Sequence, residues 1–210
     1  MKILLINYHF FIHGGPDRYF FNIKSALENE GHTIIPFSFN YEDTLDTPYK
    51  KYFPNPITGK GPFLLSKISM NLLGKFKAIF RMFFNSEVNK KFRALMDKEK
   101  PDVVFSVYLS SSMLPNILKI AKVEYGVKVI YRLSDFHIYC ASLLFHRKDK
   151  NICTDCLSNK WSAVKYKCVK DSTLASTLRV LQMKNIRYNN WYDSVDTFIC
   201  PSKTMAQYVI

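Results

Sequence analysis

The sequence predicts an α/β protein: a Rossmann-like parallel sheet with helices on both faces and a cysteine-bearing loop insertion. Three observations predict it. Short apolar runs at 2–7, 32–38, 103–107, 127–133 and 197–200 have the length of buried strands. Segments between them place apolar residues three and four apart, the period of a helix. Strands and helices alternate along the chain, the order that joins parallel strands through crossover helices.

Each element has a local reason. The run 2–7 is bounded by polar residues and reads as a first strand. Gly14-Gly15 then permits a tight turn, and Pro16 suits a first helical position. From there Tyr19, Phe20, Ile23, Ala26 and Leu27 fall on one helical face, and Gly31 ends the helix. A second strand at 32–38 carries Ile34, Ile35 and Phe37. Residues 40–62 hold four prolines and two glycines and read as a long loop. The stretch 63–96 reads as helix in one or two pieces. Lys100-Pro101-Asp102 breaks it before a third strand at 103–107. A helix over 112–125 is closed by Gly126, and a fourth strand follows at 127–133. The cysteine loop occupies about 136–171. Ser172 is a candidate N-cap for a helix running to about Trp191. A short strand at 197–200 includes Cys200, expected to be buried, and Ser202 caps a last helix.

Bulk properties bound the function. The chain has 210 residues, 48% of them hydrophobic, enough for one well-buried domain and unlike a disordered chain. Its net charge of +13 favours an anionic partner: nucleic acid, an anionic membrane face or a phosphorylated ligand. The chain shows no helix-turn-helix, zinc-finger spacing or RNA-binding signature, and its basic residues are dispersed, so nucleic acid is not expected. The opening residues are too short for a secretory leader, and no apolar run reaches the ~18–20 residues that span a bilayer. A cytoplasmic setting follows as the expectation, where thiols stay reduced or hold metal.

Four residue groups carry candidate chemistry. The Gly14-Gly15 turn lies after a strand and before a helix, where backbone N–H groups and the helix dipole can meet an anion. It is not a Gly-x-Gly-x-x-Gly fingerprint, so a dinucleotide cofactor is disfavoured. Asp135 follows the fourth strand, again at a carboxyl end; it could orient a hydroxyl or simply cap the loop. Cys140, Cys153, Cys156 and Cys168 have the spacing Cys-x12-Cys-x2-Cys-x11-Cys. They could hold structural zinc, remain packed thiols, or include a Cys153–Cys156 redox pair. Finally, 60–100 contains ten Lys/Arg against three Asp/Glu. Leu65, Ile68, Leu72, Phe76, Ile79 and Phe83 form an apolar stripe there, with Lys67, Lys75, Lys77 and Arg81 among the polar positions. This is either a core helix with a wet basic face or an interfacial membrane helix.

Several separated motifs resemble, in the same order, the N-terminal half of bacterial family-4 glycosyltransferases of the GT-B type. They are Met1-Lys-Ile-Leu-Leu-Ile6, Gly14-Gly15-Pro16-Asp17-Arg18, Gly31-His32-Thr33-Ile34, Lys100-Pro101-Asp102-Val103-Val104 and Val195-Asp196-Thr-Phe-Ile-Cys-Pro201-Ser202. The four cysteines with Trp161, Ser172 and Ser176 resemble an insertion found in many of these enzymes. The similarity is weakest over 40–95.

The resemblance implies that residues 1–210 form a single acceptor-side domain. Its enzyme would move a sugar, with retention, from a nucleotide-sugar donor to a hydroxyl of a glycan or lipid-linked acceptor, in polysaccharide or glycolipid synthesis. Gly14, Gly15 and Arg18 would lie near donor diphosphate and acceptor, and Asp135 would be the catalytic carboxylate facing the acceptor or the transferred sugar. The family often carries His-Asp at this place. This chain has Ser134-Asp135, and His137 could supply the imidazole. The chemistry needs no cofactor beyond electrostatic stabilisation of the leaving phosphate, and action at the inner membrane face would add an anionic lipid surface as a partner. The family's second domain, with its Arg/Lys pair and Glu-x7-Glu motif, has no counterpart in these 210 residues, so weak donor binding is expected of this chain alone. The alternative is a non-catalytic, zinc-stabilised binding module or an inactive remnant of such an enzyme.

Overall fold

The structure is a computed structural model and describes residues 1–56, 72–109, 112–147 and 152–208. The chain divides into two compact units. One comprises Met1–Arg132 and Trp191–Ile199, the other Leu133–Asn190 and Cys200–Ile210.

The first unit is an all-parallel, five-stranded sheet flanked by helices. Strands β1 (Lys2–Ile6), β2 (Thr33–Phe37), β3 (Val103–Ser106), β4 (Lys128–Arg132) and β5 (Thr197–Ile199) lie in the order β2-β1-β3-β4-β5. This is a doubly wound order whose switch point falls between β1 and β3. Pro36 sits in β2, opposite Leu5. A residue with no backbone N–H is tolerated there because β2 is an edge strand.

The register sorts the side chains onto two faces. Ile3, Leu5, Ile34, Phe105 and Ile130 pack with Phe20 of helix α1 (Gly15–Asn29). On the other face Phe37 meets Phe92, their centroids 5.4 Å apart, and Tyr131 meets Phe198 and Tyr192. Leu4, Leu5 and Ile6 are wholly buried because β1 is covered on both faces. Each such side chain contributes roughly 1.5–3 kcal/mol of burial.

The helices follow their caps. Gly31 takes φ +80° just past α1, and the His32 N–H returns to the Leu27 carbonyl, closing the helix end. Helices α2 (Leu72–Phe83) and α3 (Ser86–Glu99) follow, the latter capped by the Asn85 side chain accepting from the Val88 N–H at 3.3 Å. Helix α4 (Asn116–Tyr125) begins later than the residue 112 expected, because Pro115 lacks the N–H that an earlier start would place inside the helix. Gly126 closes it with φ +67°.

In α2 the expected apolar stripe is corrected. Phe76 is exposed, Phe83 and Ile79 are partly buried, and the buried position among the described side chains is the small Ala78. Leu65, Ile68 and Lys67 lie outside the described residues, as do the side chains of Leu72 and Lys75.

The second unit contains four helices among its described residues: α5 (Asp155–Ser158), α6 (Ser162–Lys165), α7 (Thr173–Tyr188) and α8 (Lys203–Ala206). The stretch expected as a cysteine loop thus carries two short helices. Ser172 and Ser202 cap α7 and α8, accepting from the Ala175 and Met205 N–H groups at 3.2 and 3.1 Å. Helix α7 ends at Tyr188 rather than Trp191. Ala141, Cys156, Ala163, Val180 and Met183 form its core, with Val164, Cys168 and Val169 packed against them. Cys200, expected on the last strand and buried, follows β5 and is half-buried. No helix among the described residues is long and apolar enough to cross a membrane.

Candidate functional site

In the first unit the loop from β1 to α1 is organised around one carboxylate. Asp17, in the first turn of α1, is 3% exposed. Its Oδ1 accepts from Asn7 Nδ2 at 2.8 Å, and its Oδ2 accepts from the backbone N–H groups of Gly14 at 2.8 Å and His13 at 3.1 Å. His9 Nδ1 faces both oxygens at 3.3 and 3.4 Å. Burial pushes the Asp17 carboxyl up, but hydrogen bonds from His9, Asn7 and Gly14 outweigh that and hold it below the usual carboxylate range.

This arrangement changes what the glycine turn can do. The Gly14 N–H, expected to greet an anion, already serves a carboxylate of the chain itself. The positive end of α1 is therefore neutralised from within. A Cβ on Gly14 would come no nearer than 3.9 Å to another atom, and one on Gly15 would meet nothing within 4 Å. The turn is open rather than tightly closed. Arg18 is exposed on the first turn of α1.

The same network leaves two polar atoms over. His9 Nε2 and Asn7 Oδ1 are buried and have no hydrogen-bond partner among the described residues. Rings of Tyr8, Phe11, His13 and Tyr41 surround His9 at centroid distances of 4.6–5.4 Å. On the next strand Ser106 Oγ, at the carboxyl end of β3, is likewise buried and without a partner among the described residues. At the end of β4, the Arg132 guanidinium lies 4.1 Å from the Tyr19 ring. Asn7 and His9 were missed in the sequence. Their signal was a polar pair directly after an apolar strand, with an acid three residues into the next helix.

In the second unit Asp135 and His137 come together. Asp135 Oδ1 accepts from the His137 backbone N–H at 2.9 Å and is paired with His137 Nδ1. An Asp–His pair therefore exists here across one intervening residue, in place of the adjacent His-Asp that the resemblance implies. Ser134, beside Asp135, is half-buried. Arg179, 9% exposed, donates to the His137 carbonyl at 2.9 Å and to Gln182 Oε1 at 2.6 Å. Ser176, Arg179 and Gln182 thus put polar side chains on the buried face of α7, which the sequence's apolar spacing gave no cause to expect.

The cysteines lie in the same unit, and all five of the chain are free thiols. Cys140 and Cys156 are in hydrogen-bonding contact. That bond, Ser142 Oγ at 3.2 Å and the Phe145 and Ser142 backbone N–H groups outweigh burial and hold the Cys140 thiol below the usual thiol range. The same contact, with burial, pushes Cys156 up. Lys160 donates to the Cys156 and Tyr139 carbonyls at 2.7 and 3.0 Å, and its burial lowers its affinity for its proton. Cys153 is buried and Cys168 half-buried. Among the described residues, no group of three or more His, Cys, Asp or Glu side chains is disposed to hold a metal ion.

No protein-family model matches the chain, and no curated protein does either.

Proposed function

We propose that this chain is the acceptor-side part of an enzyme that transfers a sugar from a nucleotide sugar to an acceptor hydroxyl. The observation that carries the proposal is the Asp17-centred network at the carboxyl end of β1, beside the switch point of a doubly wound sheet. Such sheets bind ligands at that edge. Asn7 Oδ1 and His9 Nε2 have no partner among the described residues, and a buried unpartnered polar atom calls for an explanation. A ligand rich in hydroxyl donors matches them.

The occupied Gly14 N–H favours a hydroxyl-bearing acceptor over a phosphate at this turn. Asp17 holds the His9 ring through Nδ1, so that Nε2 can receive a proton or a hydrogen bond from a hydroxyl. Asp135 and His137 form a second acid–imidazole pair, in the unit that also bears the cysteines. The motif resemblance agrees with this assignment and adds the retaining outcome.

The test is sugar transfer by the purified chain, with a supplied second domain, from labelled nucleotide sugars to a panel of oligosaccharide and polyprenyl-phosphate acceptors. Transfer that falls at least tenfold in His9→Phe, with the fold retained by circular dichroism, supports the proposal. Glycan binding without transfer identifies a binding module instead. Absence of both binding and transfer over the panel overturns the proposal.

A further inference from the structure

Helix α2 turns Phe76 and Phe80 to solvent, and Phe84, directly after its last residue, does the same. Phe76, Phe80 and Phe84 follow one another at four-residue spacing, so they lie along one face. They are 64%, 63% and 53% exposed. Ala78, about 200° around the helix from Phe80, is 1% exposed. The helix therefore buries the small Ala78 and half-buries Phe83, while two of its three phenylalanines face solvent, unlike a helix whose aromatics all lie on a core. The rings of Phe80 and Phe84 touch, with centroids 6.0 Å apart.

The charges on the helix itself have one sign. The helix carries Lys75, Lys77 and Arg81 and no carboxylate. Arg81 is engaged with Glu87 at 2.8 Å, while Lys77 is exposed. Beyond Phe84 a groove along α3 is lined by Phe84, Ser86, Asn89, Lys90, Arg93 and Asp97; Arg93 is engaged with Glu124 at 2.6 Å, while Lys90 is exposed.

We propose that this face docks on an anionic phospholipid surface. The three rings enter the boundary between headgroups and acyl chains, and Lys77 and Lys90 meet lipid phosphates. The chain's net charge of +13 steers it to such a surface. A second copy fits less well: a two-fold contact over this stripe would set Lys77 and Lys90 near their own counterparts. The inference does not depend on sugar transfer.

The test is co-sedimentation of the purified chain with sucrose-loaded vesicles of phosphatidylcholine alone or with one quarter phosphatidylglycerol. We expect binding to the anionic vesicles that weakens in high salt. In the triple variant Phe76→Ser, Phe80→Ser, Phe84→Ser it should fall roughly tenfold or more. The melting temperature should hold, since the three side chains are already exposed. Leu144→Ser, at a position 67% exposed in the other unit, should bind as the unaltered chain does. Equal binding by the triple variant, equal loss in Leu144→Ser, or equal binding to neutral vesicles overturns the proposal. So does a dimer in solution that the triple variant dissolves.

Discussion

The two units reach a packed state by opposite means. All seven glycines of the chain lie at or before Gly126, within the α/β unit, and the cysteine-bearing unit has none. Yet six of the seven described non-glycine residues with positive φ belong to the cysteine-bearing unit: Leu143, Phe145, Lys167, Lys170, Asp171 and Asn190. Each such turn costs on the order of 1 kcal/mol. The α/β unit turns where glycine makes turning easy and is held by strands buried on two faces. The other unit turns where it must and is held by specific side chains: Arg179 on the His137 carbonyl, Lys160 on two carbonyls, and Phe145 stacked on Phe136 at 4.4 Å. A fold built on pattern tolerates conservative exchange of its parts. One built on named contacts does not.

The sharpest way to break the comparison is to remove one central group from each unit. Phe92 is wholly buried against Phe37, and Phe92→Ala should cost about 3–5 kcal/mol by leaving a cavity. Arg179→Ala removes less volume but takes away the hydrogen bonds to the His137 carbonyl and Gln182 Oε1. It should cost about 2–3 kcal/mol. Hydrogen exchange separates the two. Phe92→Ala should deprotect β1, β2 and β3, whereas Arg179→Ala should deprotect 133–190 and leave the strands slow. Loss of protection in the strands of the Arg179 variant would show that the unit does not depend on this side chain in the way described.

A smaller effect tests the carboxylate at the β1–α1 loop. Because the Asp17 carboxyl is held below its ordinary value of 3.8, its stabilisation is present above that value and is lost as pH falls through the lower, folded one. Asp17→Asn keeps the shape but cannot accept from four donors equally. The variant should be less stable near pH 7 by about 1–2 kcal/mol. Between pH 5 and pH 2 the gap should narrow, because the unaltered protein loses the charge that the variant never had. Melting temperatures across that range decide it. A gap that stays constant down to pH 2 would mean the charge of Asp17 stabilises nothing.

How much of this was readable in advance also divides between the units. The strands of the α/β unit stand out because Ile3 to Ile6 and Val103 to Phe105 are continuous apolar runs, and Gly31 and Gly126 mark helix ends with the residue that the left-handed cap requires. Parallel pairing followed from the alternation of strands and helices, whereas the order β2-β1-β3-β4-β5 needed coordinates. In α2 the spacing of Phe76, Ile79 and Phe83 fits a core stripe and an interfacial one alike, because period shows which residues share a face but not which way that face points. Asp17 was visible only as part of a motif; that it would consume the Gly14 N–H needed coordinates. Asp135 and His137 were named from position and do meet, since two residues apart in a turn leaves them little choice. The partner that binds the His137 carbonyl, Arg179, is 42 residues further along. No local pattern announces a contact at that separation, and a polar residue on a helix reads as wet until packing shows otherwise.

The finest test of the comparison exchanges the turn chemistry itself. Gly126 holds φ +67°, and a Cβ placed there would meet nothing within 4 Å. The cost of Gly126→Ala is therefore backbone strain without a clash, about 1 kcal/mol net of the freedom that alanine removes from the unfolded chain. Lys167, exposed at φ +48°, is the mirror case. Lys167→Gly relieves strain of the same size but gives the unfolded chain more freedom, so the two terms oppose each other. The net gain should be small, about 0.5 kcal/mol, read as a rise in the midpoint of chemical denaturation. If Lys167→Gly instead destabilises by more than about 1 kcal/mol, the lysine side chain contributes contacts that outweigh its strained backbone. The cysteine-bearing unit would then rest on its exposed side chains as well as its buried ones.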